Sequence, residues 1–382
     1  MKRRSILLCG LALTVALIVA FSFYPLPPAS SVQSELSNDA VSVAVNEYQA
    51  ELDAEWTDPS NSSRSVLISA EIANNNIRDK LIAIGEPIVS AESAVEILGT
   101  EQDGDRITVS ARISTAFIYG GKQGNSSPGV VTDNHTIVLS SSGDETYSVI
   151  EDTVTNKNED GSPGGVPDGY DPHKSSSEET SPSTSDGGTS APTATLPMYN
   201  NTSPDVASMT DYAITWTSGQ YRGDKAEHFN SDYPYSDKNN CANFVSQVLH
   251  AGGWKYDDGF IPKNTANWAP DLSGPGGPSW TWVNAAYQYT YVRNGSYGYL
   301  DNIWNATAGD LLYVDWDPDG KADGDIDHVM VVTGTTPEGD PSITQKSINR
   351  SNISLHHLIW LAEQEGMDAD DFIWYGLQRQ QQ

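Results

Sequence analysis

Apolar residues at Val41, Val45, Tyr48, Leu52 and Trp56 recur every three or four positions, which predicts a helix with one buried stripe. The period then changes. Ile107, Val109, Ala111 and Ile113 alternate with less apolar neighbours after the turn Asp103-Gly104-Asp105, which predicts a half-buried strand. Residues 136–139 and 147–150 flank Ser141-Ser142-Gly143-Asp144 and predict a hairpin. Residues 36–155 are therefore expected to form a small α+β domain. His135 stands alone among polar neighbours there, as a surface histidine would.

The second half repeats both periods. Tyr212, Ala213, Trp216 and Tyr221 predict a first helix, and Phe244, Val245, Val248 and Leu249 a second. The second can be capped by Asn239 or Asn240 and stopped by Gly252-Gly253. Ser279-Trp280-Thr281-Trp282 predicts a short helix start, with Trp268, Trp280, Trp282 and Tyr287 as core aromatics. Strands are predicted at 309–314, at 328–334 opening with His328, at 342–350 and at 372–377. Pro337 and Pro341 stiffen the turn between the middle two. Residues 209–382 are expected to be one domain. Residues 156–208, rich in Ser, Thr, Pro and Gly, are expected to be a disordered linker, because they cannot bury enough apolar surface to offset chain entropy.

Composition narrows the function. Of 382 residues, 51 are acidic and 21 are Lys or Arg, a formal net charge of −30, which excludes nucleic-acid binding through a basic footprint. Lys2, Arg3 and Arg4 precede an apolar run from 6 to 23, so residues 1–30 read as a signal peptide or an N-terminal membrane anchor. Either places the rest of the chain outside the membrane, extracellular or at the cell surface.

There are two cysteines. Cys9 lies in the export segment, so Cys241 has no disulfide partner in the body of the chain, and an unpaired thiol in an exported protein is a candidate reactive group. Cys241 opens the predicted helix, where free amides and the helix dipole favour a thiolate. A cysteine nucleophile needs a base, and His328 at the start of a strand supplies one. A third polar group that fixes the imidazole is sought on the return strand: Gln345 first, then Ser347, then Asn349. His250, His356 and His357 have no acidic or cysteine partner at short spacing and read as structural.

Cys241, the run 243–247, Gly252-Gly253, Trp268, 279–282, Gly309-Asp310 and Asp327-His328 fall in one order that resembles the amidase domain of bacterial exported proteins. Asn240, Ala242 and Lys346 depart from that pattern, where relatives carry Asp, Thr and often His. The resemblance implies a relation to NlpC-type and CHAP cysteine peptidases. The expected fold class is thus α+β, a papain-like (NlpC-like) C-terminal domain with an antiparallel sheet packed on the cysteine helix, preceded by the small α+β domain. It implies an exported bacterial cysteine amidase or peptidase acting on a peptide or on peptidoglycan, with Cys241, His328 and Gln345 as catalytic residues and no cofactor required. Two alternatives are a non-catalytic wall-associated binding protein of the same fold and an acyl transferase using the same residues. Retention of Cys241 together with His328 favours an enzyme.

Between two of the predicted strands, Asp315, Asp317 and Asp319 alternate before Gly320, and Asp323 and Asp325 follow. These five carboxylates are the candidate ligands of a structural calcium ion, since alternating carboxylates before a glycine bend resemble the start of a calcium loop. The other reading is a solvated acidic hairpin.

Overall fold

The computed structural model describes residues 32–58, 69–143, 146–155, 200, 202–217, 229–234, 240–274, 276–316, 322, 325–346 and 348–380. The export segment and nearly all of the proposed linker lie outside these residues. Among the described residues, no helix is long and apolar enough to cross a membrane.

Helices α1 (Val32–Thr57) and α2 (Ser69–Ile84) precede strands β1 (Ile88–Asp103), β2 (Arg106–Gly121), β3 (Gly124–Asn125), β4 (Gly129–Gly143) and β5 (Thr146–Val154). Then come α3 (Val206–Thr215), α4 (Cys241–Ala251), α5 (Trp280–Val283), α6 (Ala285–Arg293) and β6 (Tyr297–Leu300). The chain ends with β7 (Leu311–Asp315), β8 (His328–Thr335), β9 (Pro341–Gln345), β10 (Arg350–Ser354), α7 (Leu355–Gln364) and β11 (Ile373–Arg379).

The expected fold class is corrected here. The strands do not divide into a papain-like domain and a separate α+β domain. They form a single eleven-stranded antiparallel sheet in the order β1-β2-β4-β10-β9-β8-β7-β11-β6, with β3 on β2 and β5 on β4. The seam is β10 against β4, with Arg350 opposite Val131 and Ser351 opposite Val130. Arg350 ties it with side-chain hydrogen bonds to β4. Arg350 Nη1 donates to Thr132 O at 2.6 Å and Nη2 meets Asp133 Oδ1 at 2.7 Å. A strand edge left bare invites pairing, and β4 supplies the partner for β10 within the chain. β4 thereby shares one edge between two strands: its residues 135–143 pair with β5, and Val130–Val131 with β10.

Period-two alternation divides the C-terminal strands between two cores. Leu311, Tyr313, Val329 and Val331 pack with Cys241, Phe244, Val245 and Val248 of α4. Leu312, Val314, Met330 and Val332 pack with Leu355 and Leu358 of α7, and with Trp56, Ile77 and Phe117 from the first half of the chain. That shared second core is a further reason the two halves form one body. A third cluster joins Val41 and Val45 of α1 to Ile107, Val109, Ile137 and Leu139.

Candidate active site

Helix α4 owes its position to its buried residues, which run without a break from Cys241 to Leu249. Its C-terminus closes as a Schellman turn. Gly253 has φ 103°, its N–H bonds His250 O at 2.9 Å, and Trp254 N–H reaches Leu249 O at 3.2 Å. The N-terminus differs from expectation. Asn240 makes no side-chain cap; its Oδ1 instead accepts from Asn243 Nδ2 at 2.7 Å.

The polar residues that follow Cys241 hold the tryptophans. Asn243 Oδ1 accepts from Trp282 Nε1 at 2.7 Å and from Gln247 Nε2 at 3.1 Å. Ser246 Oγ accepts from Trp268 Nε1 at 3.0 Å and from Gln288 Nε2 at 2.6 Å, and donates to Trp282 O at 3.0 Å. Gln288 Nε2 also reaches Ala242 O at 2.7 Å, and its Oε1 accepts from Tyr313 OH at 3.2 Å. The Asn-Phe-Val-Ser-Gln stretch is therefore a scaffold for the helix start. Sequence reasoning used it as a motif and did not see Gln288, whose place inside α6 carries no local signal.

Cys241 is buried, and its Sγ lies 3.9 Å from Asp327 O. Burial pushes the thiol up to about 11, although the amides of Val329, Ala242 and Cys241 itself pull it down. The helix start acts in the direction expected from the sequence, but desolvation is the larger effect.

His328, the first residue of β8, is fully buried and stacks on Trp316 with ring centroids 4.9 Å apart. Its Nε2 lies 3.0 Å from Gln345 Oε1. A carboxamide oxygen only accepts, so Nε2 carries the proton and Nδ1 keeps the lone pair. Nδ1 is buried and has no hydrogen-bond partner among the described residues. Burial lowers the imidazole to about 4, opposed by the Gln345 bond. The structure thus brings His328 and Gln345 together. It brings the thiol to the backbone on either side of His328, but no hydrogen bond joins Sγ to the ring. The imidazole stacks on Trp316 and, by the alternation along β8, shares the face of Met330 and Val332, whereas the thiol packs on the opposite face with Val329 and Val331, so the expected Cys241–His328 pairing is not made in this structure.

Of the other candidates for the third position, Ser347 lies outside the described residues, and Asn349 Oδ1 accepts from Lys346 Nζ at 3.1 Å. Lys346 is itself buried, lies 4.4 Å from the Phe229 ring, and is lowered to about 7 by desolvation. In the acidic loop, Asp317, Asp319 and Asp323 lie outside the described residues. Asp315 is buried at the end of β7 and Asp325 is partly buried. Among the described residues no three His, Cys, Asp or Glu side chains are grouped to hold a metal. His135 differs from expectation: it is mostly buried, and its Nδ1 lies 2.9 Å from Asp152 Oδ1.

A pH prediction arises from the buried histidine. An unfolded imidazole titrates near 6.5, whereas His328 stays neutral down to about 4. Below about 6.5 the unfolded chain takes up a proton that the folded chain refuses. The stability tied to the neutral ring is therefore full above that pH and lost as pH falls toward 4, at about 1.4 kcal/mol per unit. Urea unfolding of wild type and His328→Gln between pH 7 and 4.5 should show the two curves converging as pH falls. A constant gap would contradict it.

A family model described as "Putative amidase domain" matches residues 203–368. The match supports an amidase-like family, and so amide hydrolysis in general, for this part of the chain. No curated protein matches the chain. Among solved structures, the Kfla4162 protein from Kribbella flavida aligns at 12% identity and TM-score 0.24, covering 32% of this chain and 91% of that one.

Proposed function

We propose that the protein hydrolyses an amide bond with Cys241 as nucleophile and His328 as base, outside the cell and on a peptide or peptidoglycan substrate. The observation that supports the assignment is the state of His328: Nε2 is fixed by Gln345 and the unprotonated Nδ1 has no hydrogen-bond partner among the described residues. In this scheme the ring must leave its stack on Trp316 and come within hydrogen-bond reach of Sγ, a contact the resting structure does not make, before the Cys241 proton passes to Nδ1. Sulfur then attacks the amide carbonyl, and the tetrahedral intermediate collapses to a thioester. The C–N bond breaks and the amine leaves with the proton from Nδ1. Water, deprotonated by Nδ1, cleaves the thioester, and the thiol is restored. Amides at the start of α4 are the natural donors to the oxyanion. Gln345 positions the ring and preserves its tautomer.

A second reading, a binding protein that does not turn over, is favoured by one observation: the resting thiol is buried and protonated up to about 11. Iodoacetamide labelling at pH 7 separates the two. An enzyme should label at Cys241, with a rate that falls about tenfold or more in His328→Ala, because the imidazole supplies the base. Equal rates in both proteins, together with no new amine released from peptidoglycan, would reject the enzyme.

A further inference from the structure

The split edge of β4 leaves an opening. β5 pairs as far as Val154 opposite His135, and β10 begins at Val131, so Asp133 lies where neither strand reaches. Over this gap sits a cavity of about 380 Å³, roofed by α1, α2 and the end of α7. That volume falls within the roughly 300–1,000 Å³ of small-molecule pockets. It lies on a different part of the sheet from Cys241 and contains none of the residues assigned to hydrolysis.

We propose that this cavity binds a neutral amphipathic small molecule, an aromatic or branched aliphatic body carrying an N–H or O–H donor. The body follows from the walls. Leu52, Trp56, Phe117 and Leu361 line the space, and Trp56 meets Phe117 edge-on with centroids 5.0 Å apart. Charge speaks against an anion, because Asp152, Asp133 and Glu365 outnumber the two basic groups beside them, His135 and Arg350. Asp152 accepts from Tyr48 at 2.9 Å and holds His135 at 2.9 Å. Burial lowers the His135 pKa, but the hydrogen bond and charge of Asp152 raise it by more, which favours the protonated ring beside that carboxylate. Arg350 Nη2 meets Asp133 at 2.7 Å and Glu365 at 3.7 Å. An anion would meet this excess of negative charge, and an uncharged body is what the apolar walls accept without a desolvation cost. The donor follows from Gln49. Its Nε2 is committed to Ser93 at 3.0 Å, while its buried Oε1 has no hydrogen-bond partner among the described residues. Gln49 lines the space, and a ligand N–H or O–H would satisfy that acceptor once the carboxamide turns toward the cavity.

N-phenyl-1-naphthylamine, neutral with one N–H, is the probe, titrated into the full chain by fluorescence. The expected result is saturable one-to-one binding, weakened at least tenfold in Ala73→Phe, which fills the space, and severalfold in Gln49→Leu. The anionic 8-anilinonaphthalene-1-sulfonate should bind at least tenfold more weakly than the neutral probe. Hydrogen exchange on the wild type gives a reading independent of variant folding: the neutral probe should slow exchange in 49–56 and 361–366. Non-saturable binding, unchanged affinity in Ala73→Phe, equal affinity for the sulfonate, or no protection of those segments would overturn the proposal.

Discussion

Cys241→Ala should leave the fold intact and reduce amide hydrolysis by at least about a thousandfold, the scale on which nucleophile and base removal act in cysteine and serine hydrolases. The side chain is small and buried against Val329 and Val331, so removing one sulfur atom costs little packing. The loss should appear in kcat, with KM little changed, because the thiol makes its new bond only after substrate is bound. His328→Ala should lower kcat by about 10²–10⁴-fold, the usual contribution of a general base. The double variant should be no worse than Cys241→Ala, since both remove one step. The check is the initial rate of amine release from peptidoglycan fragments, with the melting temperature measured alongside. Activity retained in Cys241→Ala at unchanged melting temperature would end the assignment of this residue.

Ser246→Ala should be the most destabilising small change in the helix, by about 2–4 kcal/mol. The hydroxyl is fully buried and serves two donors, Trp268 Nε1 and Gln288 Nε2, and one acceptor, Trp282 O. Alanine keeps the volume nearly unchanged but strands all three partners out of reach of water. Each unsatisfied buried group costs about 1–3 kcal/mol, and part is recovered by relaxation. Combining Ser246→Ala with Trp268→Phe should cost less than the sum, because the indole N–H no longer needs an acceptor. Urea unfolding of the two single variants and the double variant reads this directly. A loss below 1 kcal/mol for Ser246→Ala, or strict additivity, would show that the hydroxyl network contributes little.

Elements with a clean period were legible. The cysteine helix announced itself through Phe244, Val245, Val248 and Leu249, and its end through Gly253. The strand that begins at His328 was legible through its unbroken apolar run. The sheet that joins the two halves was not, and β10 explains why. All five of its residues are buried, yet four of them, Arg350, Ser351, Asn352 and Ser354, are polar. Their partners lie on other elements, far away for Arg350 (Thr132 and Asp133) and nearer for Asn352 (Thr333 and Thr344) and Ser354 (Asp340). Hydropathy reads such a strand as a loop. Asn352 also takes φ 51° at a register shift, which breaks the alternation. β1 escaped for a different reason: it is mostly solvent-facing, so its few apolar residues make no pattern. At the site itself, strand parity left several candidates for the imidazole's neighbour, of which Gln345 makes the contact. The state of the thiol was not, because its depth of burial is a property of the assembled sheet and not of the helix that carries it.

The seam between β4 and β10 also sets a timetable. Arg350 reaches Thr132 across a separation of 218 residues. At roughly 5–20 residues per second, the ribosome needs on the order of 10–40 seconds to make the chain between those two strands. During that interval β4 has β2 and β5 to pair with but lacks its last neighbour. A chain that folds as it is made would pass through a half-assembled stage in which the stretch near Val130 and Val131 lacks its β10 partner. Contacts between such remote partners are slow to form. Quality control during synthesis, as much as final stability, then bears on how much native protein each chain yields.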